Sequence, residues 1–441
     1  MAKKIAILGN ISSLVKEENE SGGEAFERNV IKRLAKQLDA LLIPTIYDLW
    51  YIFNNEDLSN KIKSLSRTVN ISNVIFDILD KKSFNIEYIL KKYIEEIKSE
   101  GVVCLYQPDY FAPHALINTL LRAKSYKYLR KLMYGETVYL ADKLKIPSIV
   151  EIHGLADISF KRLFIKFLKY KIKYKFDFNL FDYKSSIKFG LLDVLHNRIT
   201  NKLTTDSNIK KILVVSRGVL DYLGIKSSEK VEVMVPANAV DEAITNYRRV
   251  ENKCGYGVFF ARLIPFKGVL EIPYIIKYLK KLNVDLKIKI LGKFYDEYTK
   301  KKFYDIASEL NVEQNIEYLG FVPKQKLYEI VSKAKIMIYP SHSDAFSLSI
   351  LESIALGTPV IAYDIAGPKS VFNGLPSVIF SKEFDVYELA EKTSKILNLN
   401  DFNYTNLLTN QETERFLKQH TSWDNVTIAI YNELRKTCYI S

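Results

Sequence analysis

The sequence predicts an α/β chain of two doubly wound domains, each built on a parallel sheet. Three observations lead there. Short apolar runs of a few residues recur between stretches of helical period, which is the pattern of βαβ units. The runs fall into two series, on either side of a polar segment at 236–255. With 441 residues, 48% hydrophobic and 26% charged, each half has enough chain to bury a core of its own.

The first series comprises residues 5–8, 102–106, 148–152 and 212–215, and the second 258–260, 286–291, 336–339 and 360–363. Ligands bind such sheets at the carboxyl ends of the strands, so the chemistry is sought there. Beyond the first run, Gly22 and Gly23 open a helix with Phe26, Val30, Ile31, Leu34 and Leu38 on one face. Paired glycines at a helix start expose backbone N–H groups to a phosphate or sugar, although a plain flexible cap has the same pattern. The 148–152 run delivers His153, beside Gly154. The 258–260 run delivers Arg262 and, five residues later, Lys267. Two cations at a strand-to-helix junction can share the charge of a diphosphate. After 336–339 a polar loop carries Asp344, and a helix runs from near Ser347 to Gly357 with Glu352 one to two turns in. The amides of Phe346, Ser347 and Leu348 form its positive end. A carboxylate placed like Glu352 can accept from two vicinal ribose hydroxyls.

Several classes are disfavoured. No window has the roughly 18 apolar residues of a membrane span. Two lysines followed by only a few apolar residues make the N-terminus a first strand and not a secretion signal, and a cytoplasmic protein is expected. Cys104, Cys254 and Cys438 are widely spaced and predict neither a disulfide framework nor zinc. The five histidines lack metal-ligand spacing, so no metal site is expected. There is no G-x-G-x-x-G for a dinucleotide.

In order, these residues resemble the retaining glycosyltransferase family 4, of GT-B fold, over nearly the whole chain. The likeness rests on Gly22-Gly23, His153-Gly154, VVSR at 214–217, PANAVD at 236–241, residues 262–268, LGFVP at 319–323, the D-x7-E segment from Asp344 to Glu352, and Trp423-Asp424. The resemblance implies two Rossmann-like domains facing a central crevice. Residues 1–240 would be the acceptor-side domain, 241–420 the nucleotide-sugar domain, and 421–441 a helix returning to the first. It implies transfer of a hexose-type sugar from a nucleotide diphosphate sugar with retained configuration. No cofactor or metal is implied, since the nucleotide sugar is a co-substrate. Carried over by position, Arg262 and Lys267 bind the diphosphate and Glu352 the ribose. Asp344 and the amides of Phe346, Ser347 and Leu348 hold the donor sugar, Phe321 and Val322 the base, and Gly22, Gly23 and His153 face the donor from the first domain. His153, Asp344, Arg262 and Lys267 are the expected catalytic set. Two residues depart from the family pattern: Asp344 replaces the usual Glu, and Asn238-Ala239 the usual Asn-Gly.

The net charge of +13 is uneven, with 17 basic and 8 acidic residues in 101–200 alone. Much of the excess lies in 160–176, with Lys161, Arg162, Lys166, Lys169, Lys171, Lys173 and Lys175 among aromatic and aliphatic residues. Such a stretch suits an anionic membrane surface, at about 1 kcal/mol per well-placed charge. A glycan or lipid-linked acceptor at the cytoplasmic membrane face is therefore expected, and no nucleic acid. The alternatives are a core-packed helix with a solvated lysine face, a nucleic-acid binder, a GT-B sugar-nucleotide epimerase, and a non-catalytic relative that binds a partner transferase or an anionic surface.

Overall fold

The computed structural model describes residues 4–16, 22–108, 114–153, 168–169, 172–173, 197–225 and 228–438. Two six-stranded sheets, parallel throughout, form the two domains. The first has the order β2-β1-β3-β4-β5-β6, from Leu41–Pro44, Lys4–Gly9, Val102–Gln107, Ser148–Ile152, Ile209–Val214 and Val231–Val233. The second has the order β12-β11-β10-β7-β8-β9, from Val378–Ser381, Val360–Tyr363, Ala334–Tyr339, Cys254–Phe260, Lys287–Leu291 and Ile316–Gly320. Counted within its own domain, the second sheet has the 3-2-1-4-5-6 order of dinucleotide-binding sheets.

Helices on both faces leave strands such as β1 and β10 almost wholly buried, which is why their runs are close to continuously apolar, whereas β8 alternates Lys287 and Lys289 with buried Ile288 and Ile290. All eight sequence runs are strands. The structure adds β2, β6, β9 and β12, the four edge strands. The Gly22–Phe26 helix passes through a π-helical turn at Glu27–Ile31 and continues as Lys32–Leu38, burying Phe26, Val30, Ile31 and Leu34.

The chain joins the domains twice, at 234–253 and again before the last helix, Trp423–Cys438. These crossings are hydrogen-bonded to each other: the Val240 amide donates to the His420 carbonyl at 2.9 Å, and His420 Nδ1 lies 2.8 Å from the Asn238 carbonyl oxygen. The last helix packs on β3, β4 and the Lys32–Leu38 helix of the first domain, where Arg33 pairs with Asp424 at 2.7 Å. It also carries Cys438 to Cys104 on β3, and the two form a disulfide with Cα atoms 5.7 Å apart. This corrects the expectation of no disulfide. The partners are 334 residues apart, and only the return of the last helix brings them together. Cys254 is free and exposed.

Away from these crossings the domains also touch directly. Ser216 Oγ donates to the Ala345 carbonyl at 2.6 Å, and the Gly218 amide to Ser370 Oγ at 3.1 Å. A Cβ on Gly218 would lie 2.3 Å from the Ala366 carbonyl carbon, so this approach requires glycine.

A crosslink closing so long a loop typically contributes 2–4 kcal/mol. Cys438→Ser is therefore expected to lower the melting temperature by several degrees in calorimetry, with wild type falling to the same value under reductant. Equal melting of oxidised wild type and the variant would show that the crosslink does not contribute.

Candidate functional site

In a sheet of this order the strand sequence reverses between β7 and β10, and this switch point is where such sheets bind ligands. The loop after β7 carries Arg262 and Lys267; the loop after β10 carries Asp344. The two are stitched together. Gly268 has φ +81°, and a Cβ there would lie 2.0 Å from the Pro340 carbonyl oxygen, so only glycine permits the approach. The His342 amide donates to the Phe266 carbonyl at 2.8 Å, and Lys267 Nζ donates to the Ser343 carbonyl at 2.9 Å.

Lys267 and Asp344 are paired at 2.7 Å and both are largely buried. The Tyr339 hydroxyl donates to the other Asp344 oxygen at 2.6 Å. Burial pulls the Lys267 pKa down, but Asp344 and Tyr339 outweigh it and the net shift is upward. Burial and then Asp344 push Tyr339 up to about 12. Asp344 is thus engaged with Lys267, not open to solvent. Arg262 is exposed, and among the described residues its side chain has no hydrogen bond or ion pair.

The helix after this loop is Leu348–Ala355, capped by Ser347 in a left-handed conformation with φ 84°. A non-glycine residue held there marks a constrained turn, and it directs the amides of Phe346, Ser347 and Leu348 to the helix's positive end. Glu352, one turn along, is half-buried and has no hydrogen bond or ion pair among the described residues. Burial pushes its pKa up to about 7; Asp241 adds to the rise, and Lys324 opposes it. Lys324 itself pairs with Asp241 at 2.9 Å. After β9, the Phe321 ring is 58% exposed and Val322 lies half-buried beside it. A free cation, a buried cation, an unpartnered carboxylate, a helix N-terminus and an open aromatic face therefore share one end of one sheet.

From the first domain, Gly22 and Gly23 open their helix as expected. His153 leaves β4 with Nε2 2.9 Å from Glu151 Oε1, and Tyr106 donates to the other Glu151 oxygen. Its ring packs on Phe26 at 3.8 Å, and Phe26 in turn meets Trp423. Glu151 was not foreseen from sequence. An acid inside an apolar strand, two residues before a histidine and so on the same face, was the available signal. Gly154, Lys161, Arg162, Lys166, Lys171 and Lys175 lie outside the described residues. Lys169 and Lys173 are described and reach the second domain: Lys169 Nζ lies 5.0 Å from the centre of the Phe384 ring, and Lys173 donates to the Phe384 carbonyl.

Residues 248–413 match the family model of glycosyl transferases group 1. They form a group 1 glycosyltransferase domain. An uncharacterized glycosyltransferase of Methanocaldococcus jannaschii is 24% identical over 361 residues, covering 80% of this chain and 83% of that one. The D-inositol 3-phosphate glycosyltransferase of Corynebacterium efficiens is 30% identical over 120 residues, which is 26% of this chain and spans only 28% of that enzyme's length. Among solved structures, Anabaena HepE in complex with UDP-glucose superposes with a TM-score of 0.62 at 12% identity, covering 98% of this chain and 99% of that one. The fold is therefore GT-B, with the group 1 domain supplying β7 to β12.

Because Glu352 is protonated more readily folded than unfolded, its ionisation opposes folding. The penalty is absent well below its unfolded pKa and grows as pH rises toward 7. Glu352→Gln is thus expected to match wild type in stability near pH 4.5 and exceed it by ~2 kcal/mol at pH 8. A stability difference that does not change with pH would show that Glu352 titrates as an ordinary surface acid.

Proposed function

We propose that the chain is a retaining glycosyltransferase that moves a hexose-type sugar from a nucleotide diphosphate sugar to a glycan or lipid-linked acceptor at the cytoplasmic face of a membrane. The observation that carries this reading is that Arg262, Lys267, Glu352, Phe321 and the amides of 346–348 all follow the carboxyl ends of strands in the group 1 domain, with Arg262, Lys267 and the amides in the loops after the two switch-point strands. Glu352 accepts from the ribose hydroxyls and Phe321 and Val322 support the base. Arg262, Lys267 and the helix N-terminus take the diphosphate. UDP and UDP-glucose, bound in the Anabaena structures of the same fold, are the first donors to try.

In such a transfer the anomeric carbon gains positive character while the diphosphate departs with negative charge. Cations and amides fixed in advance around the leaving group lower the barrier most. Lys267 is well suited, since its ammonium is already desolvated and anchored by Asp344 and the Ser343 carbonyl. Asp344 has its remaining acceptor capacity for a sugar hydroxyl. His153, oriented by Glu151, approaches the donor sugar from across the crevice. The basic stretch at 160–176 supports an anionic acceptor surface. Lys169 and Lys173 turn to the second domain, so the membrane reading rests on the other basic residues of the stretch.

Calorimetric titration with UDP, GDP, ADP and their glucose conjugates is the first test. Selective binding by wild type, weakened at least about 100-fold in Arg262→Ala/Lys267→Ala, is expected from the loss of two charge-assisted contacts. No binding to any of them would favour the non-catalytic relative, and free nucleotide released without an acceptor would favour the epimerase. For the acceptor, replacing Lys161, Lys166, Lys171 and Lys175 by Glu is expected to abolish cosedimentation with vesicles containing anionic lipid. Unchanged cosedimentation would remove the membrane from the reading.

A further inference from the structure

A second charged cluster lies directly beneath the Asp344 loop and has no part in the donor contacts above. His342 follows β10 and its side chain is fully buried. Nδ1 lies 2.8 Å from Glu383 Oε1, and Nε2 lies 3.0 Å from Glu271 Oε2. Glu271, also fully buried, ends the short Val269–Glu271 turn that follows the Lys267 loop, and Glu383 lies in the loop after β12. Phe384 covers the ring at 4.1 Å between centroids, and Tyr363 of β11 approaches it at 5.1 Å. From the first domain Lys173 reaches the Phe384 carbonyl and interacts electrostatically with Glu271 and Asp385.

An imidazole with a carboxylate on each nitrogen donates from both, which only the protonated ring can do. Burial disfavours that form, but Glu271 and Glu383 outweigh it and raise the His342 pKa. The ring therefore ties together three segments: its own loop, the turn after Lys267 and the loop after β12. Its backbone amide meets the Phe266 carbonyl, and Asp344 is two residues further on. The segments that present Lys267 and Asp344 are thus both anchored to one side chain.

We propose that His342 is a positioning residue for donor binding, its ring clamped between Glu271 and Glu383 so that Lys267 and Asp344 are held where the diphosphate and the sugar meet. This rests on the nucleotide-sugar reading of the site. Like any structural anchor, His342 would weaken the fold if removed, but its role differs in depending on a proton. The clamp is intact below the raised pKa of His342 and loosens as pH rises through it, when the neutral ring keeps one N–H and faces a second carboxylate with a lone pair.

The test is the pH dependence of UDP and UDP-glucose affinity, measured by calorimetry from pH 6 to 9.5 in wild type, Glu383→Gln and His342→Asn. Comparing proteins at each pH cancels the titration of the nucleotide's own phosphate. Wild type is expected to lose affinity at the alkaline end. In Glu383→Gln the ring has one carboxylate fewer, so the loss should begin about one pH unit lower, with affinity close to wild type at pH 6 and about tenfold weaker in between. His342→Asn should be weaker throughout and lack the alkaline limb. Glu383 is partly exposed, so its amide variant is expected to fold even if His342→Asn does not. Superimposable profiles for wild type and Glu383→Gln would overturn the positioning role while leaving donor binding intact. A wild type that binds neither ligand, nor GDP or ADP, would overturn the donor reading and the positioning role together.

Discussion

The candidate site depends on how closely the loop after β7 approaches the loop after β10. Gly268 makes that approach possible by placing no side chain against the Pro340 carbonyl. Once the loops are in contact, Lys267 reaches both the Ser343 carbonyl and Asp344, and the downward pull of burial on its pKa is outweighed by Asp344 and Tyr339. A larger residue at 268 would not merely crowd the turn. It would separate the Lys267 ammonium from the Asp344 carboxylate and the Ser343 carbonyl that hold it in place.

The sequence was most legible where burial is complete. Most interior strands appeared as apolar runs, because a parallel strand covered on both faces has little polar side to interrupt it; β8, where Lys287 and Lys289 alternate with isoleucines, and β4, with Glu151, depart from this. The four strands that escaped notice are the four at the sheet edges. The β6 and β9 strands are only half-buried, and β2 is four residues long and separated from the apolar helix Ile46–Phe53 only by Thr45, so the two read as one apolar stretch. The residues after the strands were equally legible, since Arg262, Lys267, Asp344 and Glu352 occupy loop and helix positions that follow from local pattern.

The orienting shell was not legible from sequence. Glu271, Glu383 and His342 come from three loops that only the tertiary fold brings together, and each alone has the ordinary look of a surface residue. Glu151 lies behind His153 in the same way. The Cys104–Cys438 bond shows the same limit at the largest separation, because spacing along the chain says nothing about a helix that crosses back to another domain.

That returning helix has a mechanical consequence. The second domain is attached to the first at both of its ends, through crossings that are joined side by side at Asn238, Val240 and His420, and the outgoing end is covalently fastened to β3. A body held by two adjacent tethers has little freedom to slide or twist away. Any swing about the line of the tethers would also have to part the contacts of Ser216 with Ala345 and of Gly218 with Ser370, which cross the same boundary. The sixteen-residue helix Trp423–Cys438 thus makes the first domain the anchor for both ends of the second.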